Sequence, residues 1–150
     1  MKIRKLLPEE KPPMDLLLLA DPSSTNVKGY LEKGECYIGE SNLKVVGVYV
    51  LLAKTIDDVE LMNIAVGEDF QGCGYGKQLV LDAIEKSRQG KFKTIEVCTG
   101  NSSIGPLTLY QKCGFRMVGI DRDFFTENYP EAIYENEIQC RDMIRLSLEL

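Results

Sequence analysis

The clearest hydrophobic pattern lies between residues 36 and 66, in three runs rich in valine, isoleucine and tyrosine. The runs read CYIGES, LKVVGVYVLLAKT and DVELMNIAV, with short polar breaks at Glu40–Asn42 and Ile56–Asp58. Runs of this composition bounded by polar turns are typical of strands, and short connections join antiparallel neighbours. We therefore predict an antiparallel meander in this part of the chain.

A helical pattern follows a glycine-rich stretch. Leu79, Val80, Ala83 and Ile84 recur at helical spacing, and Gly90 can end the helix. The other predicted elements are a strand at 2–6, helical pieces at Met14–Ala20 and Val27–Leu31, a strand at Lys93–Thr99, a helix at Leu107–Cys113 started by Pro106 and ended by Gly114, and strands at Phe115–Ile120 and Arg141–Leu148. Residues 121–139 are predicted to be a mobile loop. This order predicts an α/β domain whose mixed sheet is covered by helices.

Length and composition favour one globular domain spanning residues 1–150. The chain is 44% hydrophobic and 27% charged, which suits a packed core. Pro8, Glu9 and Glu10 interrupt the N-terminal apolar residues before a signal peptide can form, and the longest apolar run, Val45–Ala53, is too short to span a membrane. We expect a cytoplasmic protein without a membrane partner.

The charge of the chain indicates which kinds of binding partner are favoured. A net charge of −5 with no large basic cluster argues against nucleic acid and favours a cationic small molecule or peptide. Acidic residues concentrate in the early helices and in the predicted loop. They include Asp15, Asp121, Asp123, Glu127, Glu131, Glu135 and Glu137.

Cysteine and histidine usage restricts the chemistry. The five cysteines are scattered without a C-x-x-C pair, and histidine is absent, so we expect neither a metal site nor a disulfide framework. The absence of histidine also excludes Ser-His-Asp and Cys-His catalytic pairs. Proton transfer must fall to a carboxylate, a tyrosine, a lysine or water.

Three glycines, Gly72, Gly74 and Gly76, precede the best helix. Glycines at a strand-to-helix junction let the backbone approach a ligand, and the free N–H groups of the helix favour a phosphate or pyrophosphate. A Walker A loop does not fit, because Gly72 is one residue too close to Gly76 and Gln78 replaces the required hydroxyl residue. A dinucleotide fingerprint fails because Lys77 stands where its third glycine should be.

The pattern Q-x-x-G-x-G, at Gln71, Gly74 and Gly76, fits better. Together with the downstream LYQKCGF at 109–115, it resembles the GNAT superfamily of acyl-CoA-dependent N-acyltransferases. The resemblance implies a three-layer fold, mixed α+β, with a mainly antiparallel, splayed central sheet flanked by helices. It also implies acetyl-CoA as co-substrate and no metal.

The resemblance assigns cofactor-binding residues. The loop backbone would hold the coenzyme A pyrophosphate, the strand before it would contact the pantetheine arm, and an asparagine would add a further contact. These residues are Gln71, Gly72, Cys73, Gly74, Tyr75, Gly76 and Lys77 in the loop, Ile64, Ala65 and Val66 in the strand, and Asn101. Asn101 lies nine residues before Tyr110, and Ser103 fills the usual asparagine position, which we interpret as a two-residue insertion with a late helix start at Pro106. Cys73 is interpreted as a spacer in the loop.

Two catalytic roles also follow from the resemblance. Glu60 matches the general-base glutamate of related enzymes, and Tyr110 matches the tyrosine that protonates the departing thiolate. The implied reaction is acetyl transfer from acetyl-CoA to a primary amine of a small molecule or peptide, by direct attack in a ternary complex. The alternatives are a noncatalytic acyl-CoA-binding regulatory module and a nucleotide-phosphate-binding protein. A final strand at a sheet edge would make a homodimer possible.

Overall fold

The fold is built on one seven-stranded sheet. The computed structural model describes all 150 residues, with strand order β1-β2-β3-β4-β5-β9-β6 and a separate hairpin of β7 and β8. The elements are β1 Lys2–Lys5, α1 Met14–Ala20, α2 Ser24–Lys33, β2 Glu35–Ser41, β3 Lys44–Ala53, β4 Asp58–Val66, a 3₁₀ turn Glu68–Phe70, α3 Tyr75–Gln89, β5 Thr94–Gly100, α4 Ile104–Lys112, β6 Arg116–Asp121, α5 Phe124–Asn128, β7 Ile133–Glu135, β8 Ile138–Cys140 and β9 Met143–Glu149. No helix is long and apolar enough to cross a membrane.

Helices cover both faces of the sheet, which confirms the predicted three-layer fold. On one face, α3 and α4 pack on the strands through a cluster that includes Leu79, Ile84 and Tyr110. On the other face, α1 and α2 pack on β2, β3 and β4 through a second cluster that includes Leu17 and Val27. Between their bulges, the central strands alternate their side chains between these two layers.

The predicted splay of the sheet is also present, between β4 and β5. All sheet pairs are antiparallel except β4–β5, which is parallel and runs from Asp58 opposite Thr94 only to Leu61 opposite Val97. β4 nevertheless stays paired with β3 as far as Val66. The β5 side of β4 is therefore open beyond Leu61.

The prediction of a mobile loop at 121–139 is wrong. It contains α5 and the β7–β8 hairpin, elements of only three to five residues. The hairpin is held in place by neighbours distant in sequence, because Ser103 Oγ donates to Glu135 Oε1 (3.1 Å) and Asn136 Nδ2 donates to the Ser102 carbonyl oxygen (2.9 Å). Elements this short carry no detectable hydrophobic period.

Two further expectations need correction. Helix α4 begins at Ile104 rather than near Pro106, since proline at the third helical position lacks only an N–H that has no intrahelical partner there. The final strand, β9, lies between β5 and β6 instead of at an edge, so it offers no edge for dimerisation.

One partly buried hydrogen bond links α3 to the sheet, and we predict that its loss destabilises the fold. Tyr49 is fully buried, its hydroxyl donates to Asp82 Oδ2 at 2.6 Å, and its ring stacks on Tyr37. Tyr49→Phe should lower the free energy of unfolding by about 1–3 kcal/mol, because a hydrogen bond to a charged group is lost in the interior. Urea denaturation measures this difference. Tyr134→Phe, at a residue 66% exposed, is the control, and equal midpoints for the two variants would contradict the prediction.

Candidate active site

The glycine-rich loop turns by left-handed backbone conformations that favour glycine. Gly72 and Gly74 have φ values of 80° and 82°. Gly74 immediately precedes α3, and Gln78 is the first residue after it whose N–H donates to a backbone carbonyl, that of Gly74 at 3.2 Å. The Gln71 side chain fastens the loop to β4, because its Nε2 donates to the Val66 carbonyl oxygen at 3.1 Å.

This loop fits an anionic group. The N–H groups of Tyr75, Gly76 and Lys77 precede the first intrahelical hydrogen bond, and α3 adds the positive end of its dipole. A β carbon at Gly72 or Gly74 would meet no atom within 4 Å, so the space beside the loop is open. Open space beside free N–H groups is what a phosphate or pyrophosphate requires.

A cleft of about 420 Å³ extends from this loop along β4. Nine residues singled out in the sequence line it, and four others do so as well. The nine are Ile64, Ala65, Val66, Gln71, Gly72, Gly74, Tyr75, Gly76 and Tyr110, and the four are Phe70, Gly105, Pro106 and Leu109. Gly105 and Leu109 are spaced four residues apart on α4, a helical spacing that places both on one face. This spacing is the sequence signal that could have identified them.

Tyr110 is the buried one of the two tyrosines that line the cleft, and it packs in the α3–α4 layer. It is 5% exposed, and its ring packs edge-on against Phe115 at 5.9 Å between centroids. Burial raises the pKa of Tyr110 well above its ordinary value. The phenol is therefore protonated near neutral pH and can only serve there as a proton or hydrogen-bond donor to a developing negative charge.

Glu60 lies on the opposite face of the sheet from Tyr110. It is the register neighbour of Leu52, which packs in the α1–α2 layer, and of Glu96 across the parallel pair with β5. Its side chain is 19% exposed, and Lys54 Nζ lies 3.9 Å from its Oε1. Burial, opposed by Lys54 and reinforced by Glu96, raises the pKa of Glu60. Glu60 is therefore a largely buried residue of a central strand and not a solvated carboxylate at a sheet edge.

Cys98 lies near both titratable residues but is not an activated nucleophile. The charge of Glu60 contributes to the raised pKa of Cys98, and Cys98 contributes to the raised pKa of Tyr110. Burial, the largest cause, raises the pKa of Cys98 to about 12. A thiol with this pKa is protonated at neutral pH, so covalent catalysis through Cys98 is disfavoured.

Three predicted cofactor-binding residues lie outside the cleft lining. Cys73 and Lys77 are exposed on the loop and on the first turn of α3. The Asn101 amide is engaged elsewhere: its Oδ1 accepts from the N–H groups of Arg141 (2.8 Å) and Asp142 (3.0 Å), and its Nδ2 donates to the Gln139 carbonyl. A contact between Asn101 and coenzyme A would require these bonds to be exchanged, and it stays a prediction.

The chain resembles known acetyltransferases over most of its length. Residues 3–115 match the model of the acetyltransferase (GNAT) family. The uncharacterized N-acetyltransferase YvbK of Bacillus subtilis is 60% identical over 91% of this chain and 88% of that protein. A GNAT family acetyltransferase from Elizabethkingia anophelis with acetyl-CoA bound has a TM-score of 0.97 and 46% identity, over 99% of this chain and 97% of that one. An IAA acetyltransferase from Bacillus cereus has a TM-score of 0.95 and 48% identity, over 99% of both chains.

The loop geometry generates a binding prediction. Gly74→Glu should weaken acetyl-CoA binding at least about tenfold, because it places a carboxylate beside the pyrophosphate cradle and adds a side chain at φ +82°. Isothermal titration calorimetry of the folded variant measures the change. Gly29→Glu is the matched control, since Gly29 lies in α2 and a β carbon there also meets no atom within 4 Å. An unchanged dissociation constant for Gly74→Glu would mean that the loop is only a turn.

Proposed function

Because the chain belongs to the GNAT acetyltransferase family and uses acetyl-CoA as acetyl donor, we propose that it transfers the acetyl group to a primary amine of a small molecule or peptide. The transfer is a direct attack in a ternary complex. The observation that carries this proposal is the opening between β4 and β5, which has the glycine-loop cleft on one face and a carboxylate-bearing surface on the other. Two reactants can therefore approach one point from opposite faces of the sheet.

The cofactor side is the cleft. The loop N–H groups would hold the pyrophosphate, and the unpaired backbone of β4 at Ile64–Val66 would hold the pantetheine arm. When bound, acetyl-CoA supplies an activated thioester carbonyl. A backbone N–H of β4 directed at that carbonyl would stabilise the charge that develops on its oxygen.

The acceptor side carries the proton acceptor. An amine is mostly protonated near neutral pH and has to lose a proton before it can attack. Glu60, directly or through water, takes this proton, and its raised pKa makes it a stronger base than an ordinary glutamate. Tyr110, on the cofactor side, returns a proton to the leaving sulfur. The two proton transfers are thus separated by the sheet.

The charge of this surface favours a cationic acceptor. Glu60 and Glu96 are neighbours across β4 and β5. Lys54, 3.9 Å from Glu60, and Arg145, 3.7 Å from Asp121, offset part of this negative charge but leave Glu96 without a cation of its own among the ion pairs. A carboxylate pair beside the opening attracts a protonated amine and then accepts its proton. The acceptors to be tested are therefore polyamines, aminoglycosides and peptide α-amines, with IAA, named for the Bacillus cereus relative, as a further candidate.

The function is tested by incubating the protein with acetyl-CoA and this acceptor panel and detecting acetylated products by mass spectrometry. For the best acceptor, we expect Tyr110→Phe to lower kcat by about 10²-fold or more, since a general acid commonly contributes this much. The dissociation constant for acetyl-CoA should change little, because the phenyl ring keeps its packing in the cleft.

Tyr75→Phe is the matched control for this substitution. Tyr75 also lines the cleft, but its hydroxyl makes only a long 3.4 Å contact with Ser41 Oγ. A kcat of Tyr110→Phe equal to that of the wild type, where the chemical step limits the rate, would remove Tyr110 from the mechanism. Acetyl-CoA binding without acetylation of any acceptor would favour the noncatalytic module.

The surroundings of Glu60 predict the pH dependence of kcat/KM. A general base works only when it is deprotonated, so activity is lost as pH falls through the raised pKa of Glu60. Lys54→Met removes the cation 3.9 Å from Glu60 and should move this acidic limb to higher pH. Glu96→Gln removes a negative neighbour and should move it to lower pH. Profiles with one and the same amine measure both shifts, because the amine's own titration is then common to all profiles.

Lys93→Met is the control for the first shift, since Lys93 pairs with Asp57 and is exposed. Coincident acidic limbs for the wild type, Lys54→Met and Glu96→Gln would contradict the assignment of Glu60 as base. Loss of activity in Glu96→Gln but not in Glu60→Gln would also contradict it.

A further inference from the structure

Residues 122–142 separate β6 from β9, two strands that are neighbours in the sheet, and are here called the insertion for that reason. They form a wall on the acceptor side of the opening. The insertion packs over the end of β5, where a β carbon on Gly100 would contact Cys140 and Phe125. By strand alternation, Gly100 lies on the same face as Glu96 and Cys98. α1 and α2 cover β3 and β4 on this same face. The opening between β4 and β5 therefore has the α1–α2 pair on one side and the insertion on the other.

Asp21 joins these two walls. It follows the last residue of α1, and the Ser23 N–H donates to its Oδ1 at 3.0 Å. Tyr129, at the end of α5, donates from its hydroxyl to the same Oδ1 at 3.3 Å, and Tyr30 of α2 donates to Oδ2 at 3.3 Å. Burial and the nearby Asp21 carboxylate raise the pKa of Tyr129, so its hydroxyl keeps the proton that it donates.

The same hydrogen-bond chain continues into β4. Asn63 is 3% exposed, and its Nδ2 donates to the Tyr30 hydroxyl oxygen (2.8 Å) and to the Leu17 carbonyl oxygen (2.9 Å). The Leu17 carbonyl can only accept, which fixes the orientation of the amide and leaves Oδ1 without a partner. The Tyr30 hydroxyl, which accepts from Asn63, therefore donates to Asp21. This series of hydrogen bonds thus connects β4, the strand that lines the cofactor cleft, with Tyr129 of the insertion.

We propose that Asp21 is a positioning residue that fixes the insertion against the α1–α2 pair through Tyr129, and that this contact limits the width of the acceptor entrance. The proposal rests on the function proposed above, and it adds the selection of slender primary amines over wide ones. Asp21 and Tyr129 take no part in proton transfer, and neither lines the cofactor cleft.

Hydrogen exchange tests whether the contact holds the insertion. Tyr129→Phe removes one hydroxyl and keeps the ring that stacks on Phe125. It should accelerate exchange of the amides at 125–129 about fivefold, because the loss of one hydrogen bond typically changes a local opening equilibrium by about this factor. Tyr134→Phe, in the same insertion but exposed, is the matched control and should leave exchange unchanged. Unaltered exchange in Tyr129→Phe would overturn the proposal.

Steady-state kinetics test the selection of the acceptor. Two primary amines are taken from those that the wild type acetylates, one slender, such as 1,5-diaminopentane, and one wide, such as a short peptide with a free α-amine. Tyr129→Phe and Asp21→Ala should each raise kcat/KM for the wide amine relative to the slender one by about fivefold. The double variant should show no larger ratio than Asp21→Ala, because both remove the same contact. The dissociation constant for acetyl-CoA should change less than about twofold, since the cofactor cleft lies on the other face.

The failures of the two proposals are distinguishable. Acetylation of the amines with unchanged acceptor ratios in both variants would overturn the positioning role of Asp21 and leave the proposed function intact. Binding of acetyl-CoA without acetylation of any amine by the wild type would overturn both proposals. A weakened acetyl-CoA affinity in Tyr129→Phe would show a general structural effect and would also overturn the positioning role.

Discussion

The active site depends on one interrupted pairing, that of the parallel strands β4 and β5. The two strands pair only as far as Leu61 and Val97, while β3 continues to hold β4 to its end at Val66. The rest of β4 therefore keeps its place in the sheet but leaves backbone groups unpaired on one side. Unpaired backbone groups are costly unless they find another partner. A strand held on one edge and free on the other is a preformed binding surface for an extended ligand.

A bulge in β4 determines which residues of this strand lie on each face of the sheet. The register with β3 passes from Leu51 opposite Leu61 to Val50 opposite Asn63, so Met62 is the extra residue. Without it, the alternation set by Val59 and Leu61 would place Asn63 with the α3–α4 layer. With it, Asn63 lies on the α1–α2 face and Ile64 lines the cofactor cleft. One inserted residue thus allows a single strand to contribute to the cleft on one face and to the α1–α2 packing on the other.

Sequence reasoning succeeds where elements are long and fails where tertiary contacts decide. Strong apolar periodicity predicts β3, β4 and α3, and the unusual glycine density identifies the loop before α3. The insertion escapes prediction because its short elements depend on distant partners such as Glu135 with Ser103. Within the site, sequence motifs identify the loop and Tyr110, whereas the burial of Glu60 results from its place in the assembled sheet. No local sequence pattern predicts that Glu96 becomes the neighbour of Glu60 across β4 and β5.

In a chain without histidine, the two groups proposed for proton transfer, Glu60 and Tyr110, are both largely buried. Histidine can donate or accept a proton near neutral pH without perturbation, whereas glutamate and tyrosine titrate far below and far above it. Burial raises both pKa values: it makes the Glu60 carboxylate more basic, and it makes the Tyr110 phenol, which is protonated at neutral pH in any case, a weaker acid. The sheet keeps the two environments apart, with Glu60 on the α1–α2 face and Tyr110 in the α3–α4 layer. The proposed base and the proposed acid would thus both owe their raised pKa values to one physical cause, desolvation on opposite faces of a single sheet.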